Sequence, residues 1–225
     1  MLILLDSSFT LIKPSQPVGF VYAQHLEAST NLIIDPETIQ AAFRSSFAHA
    51  PNPDYTRHDS GHGAEVSWWR SLVLRIFSEV LEKNSLSAPA SRLEACFDSL
   101  FNHYAQPTSW TLYPETIHFL EAASRIGPMV VISNFDNRLA PVLNGLGIGS
   151  YFKKIITSAD ALARKPERMI FDFALKQMNC RSQEACFCGD SYEADYLGAS
   201  SAGIRSFHLQ RPTNTLVDFL EFCQS

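Results

Sequence analysis

Basic clusters are the first thing this sequence lacks. It has 18 Lys and Arg against 23 Asp and Glu, a formal net charge of −5 at pH 7, and its basic residues never run beyond adjacent pairs. The electrostatic footprint of a nucleic-acid-binding protein is therefore missing. Long-range attraction for an anionic ligand is missing too, so a phosphate site would have to be built locally. No apolar run approaches the ~18 residues needed to cross a bilayer, and no membrane partner is expected. The opening MLILLD has no basic segment, and Asp6 cuts its apolar run, which argues against a secretory signal. There is no Cys-x-x-Cys pair among the five cysteines, Cys96, Cys180, Cys186, Cys188 and Cys223. Cys186 and Cys188 lie two apart in an apolar stretch, on one expected strand face, and read as buried, reduced thiols. These absences together point to a cytoplasmic protein. Internal repeats and low-complexity tracts are also absent.

What is present is ordinary globular material. The 225 residues are 46% hydrophobic and 18% charged, enough chain to bury a large core without disulfide or metal staples. Five short apolar runs read as strands: Leu2–Leu5, Met129–Ser133, Lys153–Thr157, Ala185–Cys188 and Arg205–Leu209. Several are apolar on both faces, as strands buried in a parallel sheet are. The last four alternate with helical patterns over Glu115–Arg125, Asn137–Leu146 and Pro166–Met178, the last with proline at a helix-start position. Alternating strands and helices imply an α/β fold with a doubly wound, mostly parallel, Rossmann-like core sheet.

The region from Ser15 to Thr111 carries no convincing strand. Asp35-Pro36-Glu37 is a helix start, and Val66–Leu81 and Ala90–Tyr104 place their apolar residues at helical spacing. Pro51–Gly63 interrupts them with Pro, Asn, Asp, Ser and Gly and reads as a loop. The expected organisation is an α/β core of residues 1–14 and 112–225, with an inserted α-helical domain of residues 15–111.

In open α/β sheets the ligand crevice lies at the carboxyl ends of the strands, and four strand ends here carry polar groups. The first ends in Asp6-Ser7-Ser8-Phe9-Thr10 and the second in Ser133-Asn134. Lys165-Pro166 follows the third, and the fourth ends in Gly189-Asp190-Ser191, with Asp195 one helical turn on. Each alone has a plain structural explanation, since Asp and Ser favour turns and helix caps. Their joint placement at one sheet edge is what marks a site.

This set resembles the haloacid dehalogenase superfamily in its form with a helical cap. Asp6, Ser8 and Thr10 match its first motif and Ser133 its second. Lys165 matches the third, and Gly189, Asp190 and Asp195 the fourth. Ser133–Leu139 and the Trp68-Trp69 pair are similar to the rhythmically-expressed-gene-2-like branch of that family. The resemblance implies a Mg²⁺-dependent hydrolase, a phosphatase for a small phosphorylated metabolite, with Asp6 attacking phosphorus to form an aspartyl-phosphate. It implies Mg²⁺ held by Asp6, the Ser8 backbone carbonyl and Asp190. Ser133, Asn134, Lys165 and Thr10 would surround the substrate, with Lys165 also neutralising transition-state charge. Asp195 and Ser191 would sit just behind, steadying these groups.

One position departs from the pattern. Phosphatases of the family normally carry a second Asp two residues after the nucleophile, as general acid and base, and here that position is Ser8. Such assistance is worth about 10²–10⁴-fold in rate. Relatives in this branch also tend to lack that Asp. Three outcomes stay open: a phosphatase specialised for good leaving groups, phosphonatase- or dehalogenase-type chemistry on the same Asp, or a non-catalytic binding or regulatory protein. Intact Gly189-Asp190-Ser191 argues against C–Cl cleavage, and Lys83, the only Lys of the insert proper, is not marked as a buried Schiff-base residue. His58, Asp59 and His62 have metal-like spacing but read as a surface loop. Trp68 and Trp69 read as packing of the insert, with one free to face a substrate. Ser133 lacks the surroundings of a serine nucleophile elbow.

Overall fold

The computed structural model describes residues 1–58 and 60–224. Its core is a five-stranded sheet in the order β5-β4-β1-β6-β7, built from β1 (Leu2–Leu5), β4 (Met129–Ser133), β5 (Phe152–Thr157), β6 (Ala185–Gly189) and β7 (Arg205–His208). All four pairings are parallel. β1, β4 and β6 are buried along their whole length, which explains their unbroken apolar runs.

Side-chain alternation divides the sheet between two helical layers. Ile3, Leu5, Val131, Cys186 and Cys188 face a cluster with Phe119, Leu120, Val142 and Phe219. These come from α5 (Thr116–Ala123), α6 (Leu139–Gly145) and α10 (Leu216–Gln224). Leu2, Leu4, Val130, Ile132 and Phe187 face the opposite cluster with Ile170, Phe171, Ala174 and Ala199, from α8 (Arg168–Gln177) and α9 (Gly198–Ser201). Cys186 and Cys188 do share a face, and all five cysteines are free thiols.

Between β1 and α5 the chain leaves the sheet. An antiparallel pair, β2 (Ile12–Pro14) with β3 (Trp110–Leu112), frames the departure and return. Among the described residues, four α-helices lie between them: α1 (Val18–Thr30), α2 (Pro36–Ala48), α3 (Gly61–Lys83) and α4 (Ala90–His103). They form their own apolar cluster around Tyr22, Leu26, Ile39, Ile76, Phe77 and Phe97. Asp35 caps α2 as its sequence requires, accepting from the Thr38 N–H, with Pro36 in the first turn. Ser60 caps α3 in the same way through the Gly63 N–H.

Several expectations need correction. The sequence pattern does not reveal β2, β3 or α1. Trp110 and Thr111, assigned to a strandless region, sit in β3 because their register with Lys13 and Pro14 is a long-range pairing. The loop over Pro51–Gly63 is shorter than expected, since Gly61, His62 and Gly63 already belong to α3. Gly61 suits that place because a Cβ there would lie 2.0 Å from the Ala159 carbonyl oxygen, at α7 (Ser158–Ala161) of the core. Asp59 lies outside the described residues. Pro166 does not begin a helix; α8 starts at Arg168, after the cap position Glu167. Among the described residues, no helix is long and apolar enough to cross a membrane.

Candidate active site

β1 is central, and its connections run first to β4 on one side and later return to β6 on the other. The chain thus changes direction at β1, and the crevice of an open α/β sheet forms at such a point. The sequence places Asp6, Ser133 and Asp190 immediately at or beyond the carboxyl ends of those three strands.

Asp6 is buried, with 6% of its surface exposed. Its Oδ1 accepts from the Lys165 ammonium at 2.7 Å and from the Ser133 hydroxyl at 3.3 Å. Lys165 is itself buried and also donates to Asp195 Oδ1 at 2.6 Å. The other Asp195 oxygen accepts from the Ser191 N–H at 2.9 Å. Asp195 reaches this position from a π-helical turn, Tyr192–Leu197, whose wide winding is a frequent feature of functional sites. Its carboxyl packs directly over Gly189, where a Cβ would lie 2.3 Å away, so only glycine leaves room for it.

Lys165 is fixed from its backbone as well. The Asn134 side chain accepts from the Lys165 N–H and donates to the Lys165 carbonyl, both at 2.8 Å. This two-point clasp ties the residue after β4 to the segment after α7. The contact expected of Asn134 is through its backbone N–H; its side-chain amide is engaged with Lys165.

After β1 the chain wraps around one carbonyl. Ser7 O accepts from Thr10, Leu11 and Ile12 N–H groups at 3.3, 2.8 and 3.0 Å, and Phe9 takes a left-handed conformation with φ +60°. Arg211 secures the far side of this turn by donating to the carbonyls of Phe9 and Thr10 at 2.9 and 2.8 Å. It is held in turn by Glu115 at 2.7 Å and by the Tyr113 ring. Ser7 and Ser133 share a hydroxyl–hydroxyl bond of 2.7 Å. Neither Ser7 nor Arg211 stood out in the sequence, and no spacing signal could have shown them.

Asp6, Ser8, Ser133, Asn134, Lys165, Asp190, Ser191 and Asp195 all line one cleft of about 470 Å³. Thr10 is the exception: it is fully buried and its hydroxyl has no partner. It does not line the cleft, because the tight turn draws it under the sheet edge. Much of the remaining wall comes from the helical insert, with Tyr22, Phe43, Phe47, Trp69, Phe97 and Phe101, and Phe135 adds to it from the core. Trp68 takes a different course: its indole N–H donates to the Pro51 carbonyl and its ring lies 4.4 Å from the Arg164 guanidinium. His62 has a buried, unpartnered Nδ1 and His58 is exposed. Neither joins the carboxylate cluster.

One oxygen from each of Asp6, Asp190 and Asp195 lies within 4.8 Å of the others. Burial pushes the Asp6 carboxyl up to about 6, with Asp195 adding to the rise and Lys165 opposing it. Burial also pushes Asp190 up to about 7, reinforced by repulsion from Asp6 and then Asp195. Burial lowers the Lys165 ammonium, but Asp195 and Asp6 outweigh it and the net shift is upward. Three carboxylates around one ammonium leave negative charge uncompensated when ionised. An all-oxygen donor set with excess negative charge suits a hard divalent cation such as Mg²⁺. Asp195 is already engaged through both oxygens, so Asp6 and Asp190 are the better candidates to hold it.

A buried aspartate where a parallel sheet switches direction, with a lysine clamped between two carboxylates, is a convergent polar site in a cleft. The sequence profile of haloacid dehalogenase-like hydrolases matches residues 3–203, and the chain belongs to that family. It is 31% identical over 212 residues to haloacid dehalogenase-like hydrolase domain-containing protein 3 of Danio rerio, covering 93% of this chain and 84% of that one. It is 26% identical over 162 residues to the rhythmically expressed gene 2 protein of Drosophila melanogaster, covering 68% and 61%, which confirms the branch. A phosphoglycolate phosphatase of Pectobacterium atrosepticum is 31% identical over 150 residues, covering 65% and 60%. The fold is shared with the magnesium-bound crystal structure of the putative HAD-hydrolase YfnB from Bacillus subtilis. That match has a TM-score of 0.75 and 16% identity, and covers 100% of this chain and 98% of that one.

Proposed function

We propose that this protein is a Mg²⁺-dependent phosphomonoester hydrolase acting on a small phosphorylated metabolite through an aspartyl-phosphate at Asp6. The observation that carries the reading is the buried Lys165, held between Asp6 at 2.7 Å and Asp195 at 2.6 Å. A lysine so placed orients the nucleophile and neutralises charge growing on the transferred phosphoryl group. The similarity to phosphoglycolate phosphatases supports phosphoryl chemistry over C–Cl cleavage.

Asp6 would attack phosphorus as the ionised carboxylate, its orientation restricted by the two bonds at Oδ1. The Ser133 hydroxyl would donate to a phosphoryl oxygen once substrate displaces its bond to Asp6. Asp195 would keep Lys165 charged and in register. Asp6, Asp190 and the Ser8 carbonyl would hold Mg²⁺, which when bound favours the ionised nucleophile and offsets its repulsion from the phosphate. Residues 15–111 would act as a cap that shapes the substrate end and excludes water. The protein would act in the cytoplasm, without nucleic-acid or membrane partners.

Ser8 favours one competing reading, a binding or regulatory protein that keeps the cleft without turnover. The deciding measurement is inorganic phosphate release from a phosphate-ester panel with Mg²⁺ or EDTA. Turnover that needs Mg²⁺ and disappears in Asp6→Asn is expected. Turnover retained in Asp6→Asn, or none with any ester, refutes the assignment.

A further inference from the structure

The cleft has two chemically different ends. At the sheet edge lie the carboxylates, Ser133 and Lys165; away from it the lining is aromatic. Phe43, Trp69, Phe97, Phe101 and Phe135 all face this space, and Phe135 follows Ser133 by only two residues. The aromatic wall therefore begins where the phosphate-binding groups end. Its rings support one another: Phe97 lies 5.6 Å from Phe101, and Tyr22 5.6 Å from Phe43.

Resting on the phosphatase reading above, we propose that the substrate is an aryl phosphate, with its ring seated in this aromatic half of the cleft. Three observations converge. The volume, about 470 Å³, lies in the range of small-molecule sites, ~300–1,000 Å³, and leaves space for a ring beyond the phosphate. The lining carries few polar groups with which to satisfy sugar or polyol hydroxyls. Of its two arginines, Arg138 is already bound to Asp136 and the Phe101 carbonyl, which leaves Arg44 and the tyrosine hydroxyls as the polar groups of this end. The several hydroxyls of a sugar or polyol would outnumber them on desolvation. Finally, Ser8 occupies the place of a general acid, so the leaving oxygen departs without protonation. An aryl oxide, whose conjugate acid is a phenol with pKa ≈ 10, can do this; an alkoxide cannot do so readily.

The bonds balance without further reagents. An Asp6 carboxylate oxygen forms a bond to phosphorus as the P–O(aryl) bond breaks, and the aryl oxide leaves with the electron pair. Water then attacks phosphorus and the P–O(Asp6) bond breaks, regenerating the carboxylate. The products are inorganic phosphate and a proton that the aryl oxide takes up as the phenol.

The test compares phenyl, benzyl, acetyl and glycerol phosphates on the full chain with Mg²⁺. Phenyl and benzyl phosphate both present a ring, but only phenyl leaves as a stabilised oxide. Acetyl phosphate leaves easily without a ring. The expected kcat is at least about 10²-fold higher for phenyl than for benzyl phosphate, with KM values within threefold of each other. The expected KM for acetyl phosphate is about tenfold above that for phenyl phosphate, by loss of ring packing. In Trp69→Ala the preference for phenyl over acetyl phosphate in kcat/KM falls about tenfold, and Trp69→Phe restores it. Phe101→Leu gives a second reading of the wall should Trp69→Ala not fold. Acetyl phosphate hydrolysed with no ring preference, or a preference unmoved by these variants, overturns the aromatic assignment alone. Phosphate released from none of the four overturns the phosphatase reading and the aromatic assignment with it.

Discussion

Replacing Asp190 by Asn should stabilise the metal-free protein at pH 8 while destroying its response to Mg²⁺. Asp190 faces Asp6 and Asp195, and burial and their repulsion raise its carboxyl to about 7 from 3.8. A carboxyl whose folded pKa is raised holds its proton more tightly when folded. Its contribution is therefore fully present below pH 3.8 and is lost as pH rises towards 7. The shift of about 3 pKa units corresponds to an upper limit of about 4 kcal/mol at 1.36 kcal/mol per unit. Asp190 is partly open to solvent, and screening brings the expected gain to about 1–3 kcal/mol. Urea denaturation in EDTA would measure it, at pH 8, where the variant should be the more stable, and near pH 4, where the two should nearly coincide. Added Mg²⁺ should raise the wild-type midpoint and leave the variant's unchanged. A variant less stable than wild type at pH 8 in EDTA, or a stability difference independent of pH, would show that the carboxylates are not held together against their repulsion.

The remaining predictions concern single contacts. Ser8→Asp should raise kcat on an alkyl phosphate by about 10²-fold with a much smaller effect on an aryl phosphate; equal changes on both would mean that residue 8 does not face the leaving oxygen. Asn134→Ala removes both 2.8 Å bonds to the Lys165 backbone. Loss of about 1–3 kcal/mol of stability is expected, with a kcat lower by about tenfold from misplacement of the ammonium, checked by thermal melting and steady-state kinetics. Gly189→Ala sets a methyl 2.3 Å from the Asp195 carboxyl, which Lys165 and Ser191 hold in place. A loss of about 1–3 kcal/mol is expected, together with a fall in kcat; an unchanged melting temperature would mean that Asp195 can swing aside freely.

Much of the molecule was legible from residue order. β1, β4 and β6 could be read because buried parallel strands leave unbroken apolar runs, and α2 to α4 because amphipathic spacing and the Asp35-Pro36 cap are local signals. The polar positions that meet in the cleft, Thr10 excepted, were legible for the same reason, since strand ends lie within short windows. Missed elements were those whose stability is borrowed from elsewhere. β2 and β3 are three residues each and exist through their pairing with one another. The first insert helix has neither a side-chain cap nor acidic residues in its first turn, and packs through Val21, Tyr22 and Leu26 on its neighbours.

The sequence by itself determined which polar groups are available: three aspartates, one lysine, and a serine two residues after Asp6. It also determined that these groups would fall at strand ends. Only the tertiary structure decided how they meet. Asp6 and Lys165 are 159 residues apart and touch at 2.7 Å because β1 lies beside β4 and Asn134, just after β4, clasps the Lys165 backbone, a long-range arrangement that no local window encodes. The same packing turned Trp69 into the cleft and Trp68 onto Arg164, buried Thr10, and brought Arg211 to the turn that follows β1. Periodicity reveals which face of an element is apolar; which partner covers that face is settled by the packing of the whole chain.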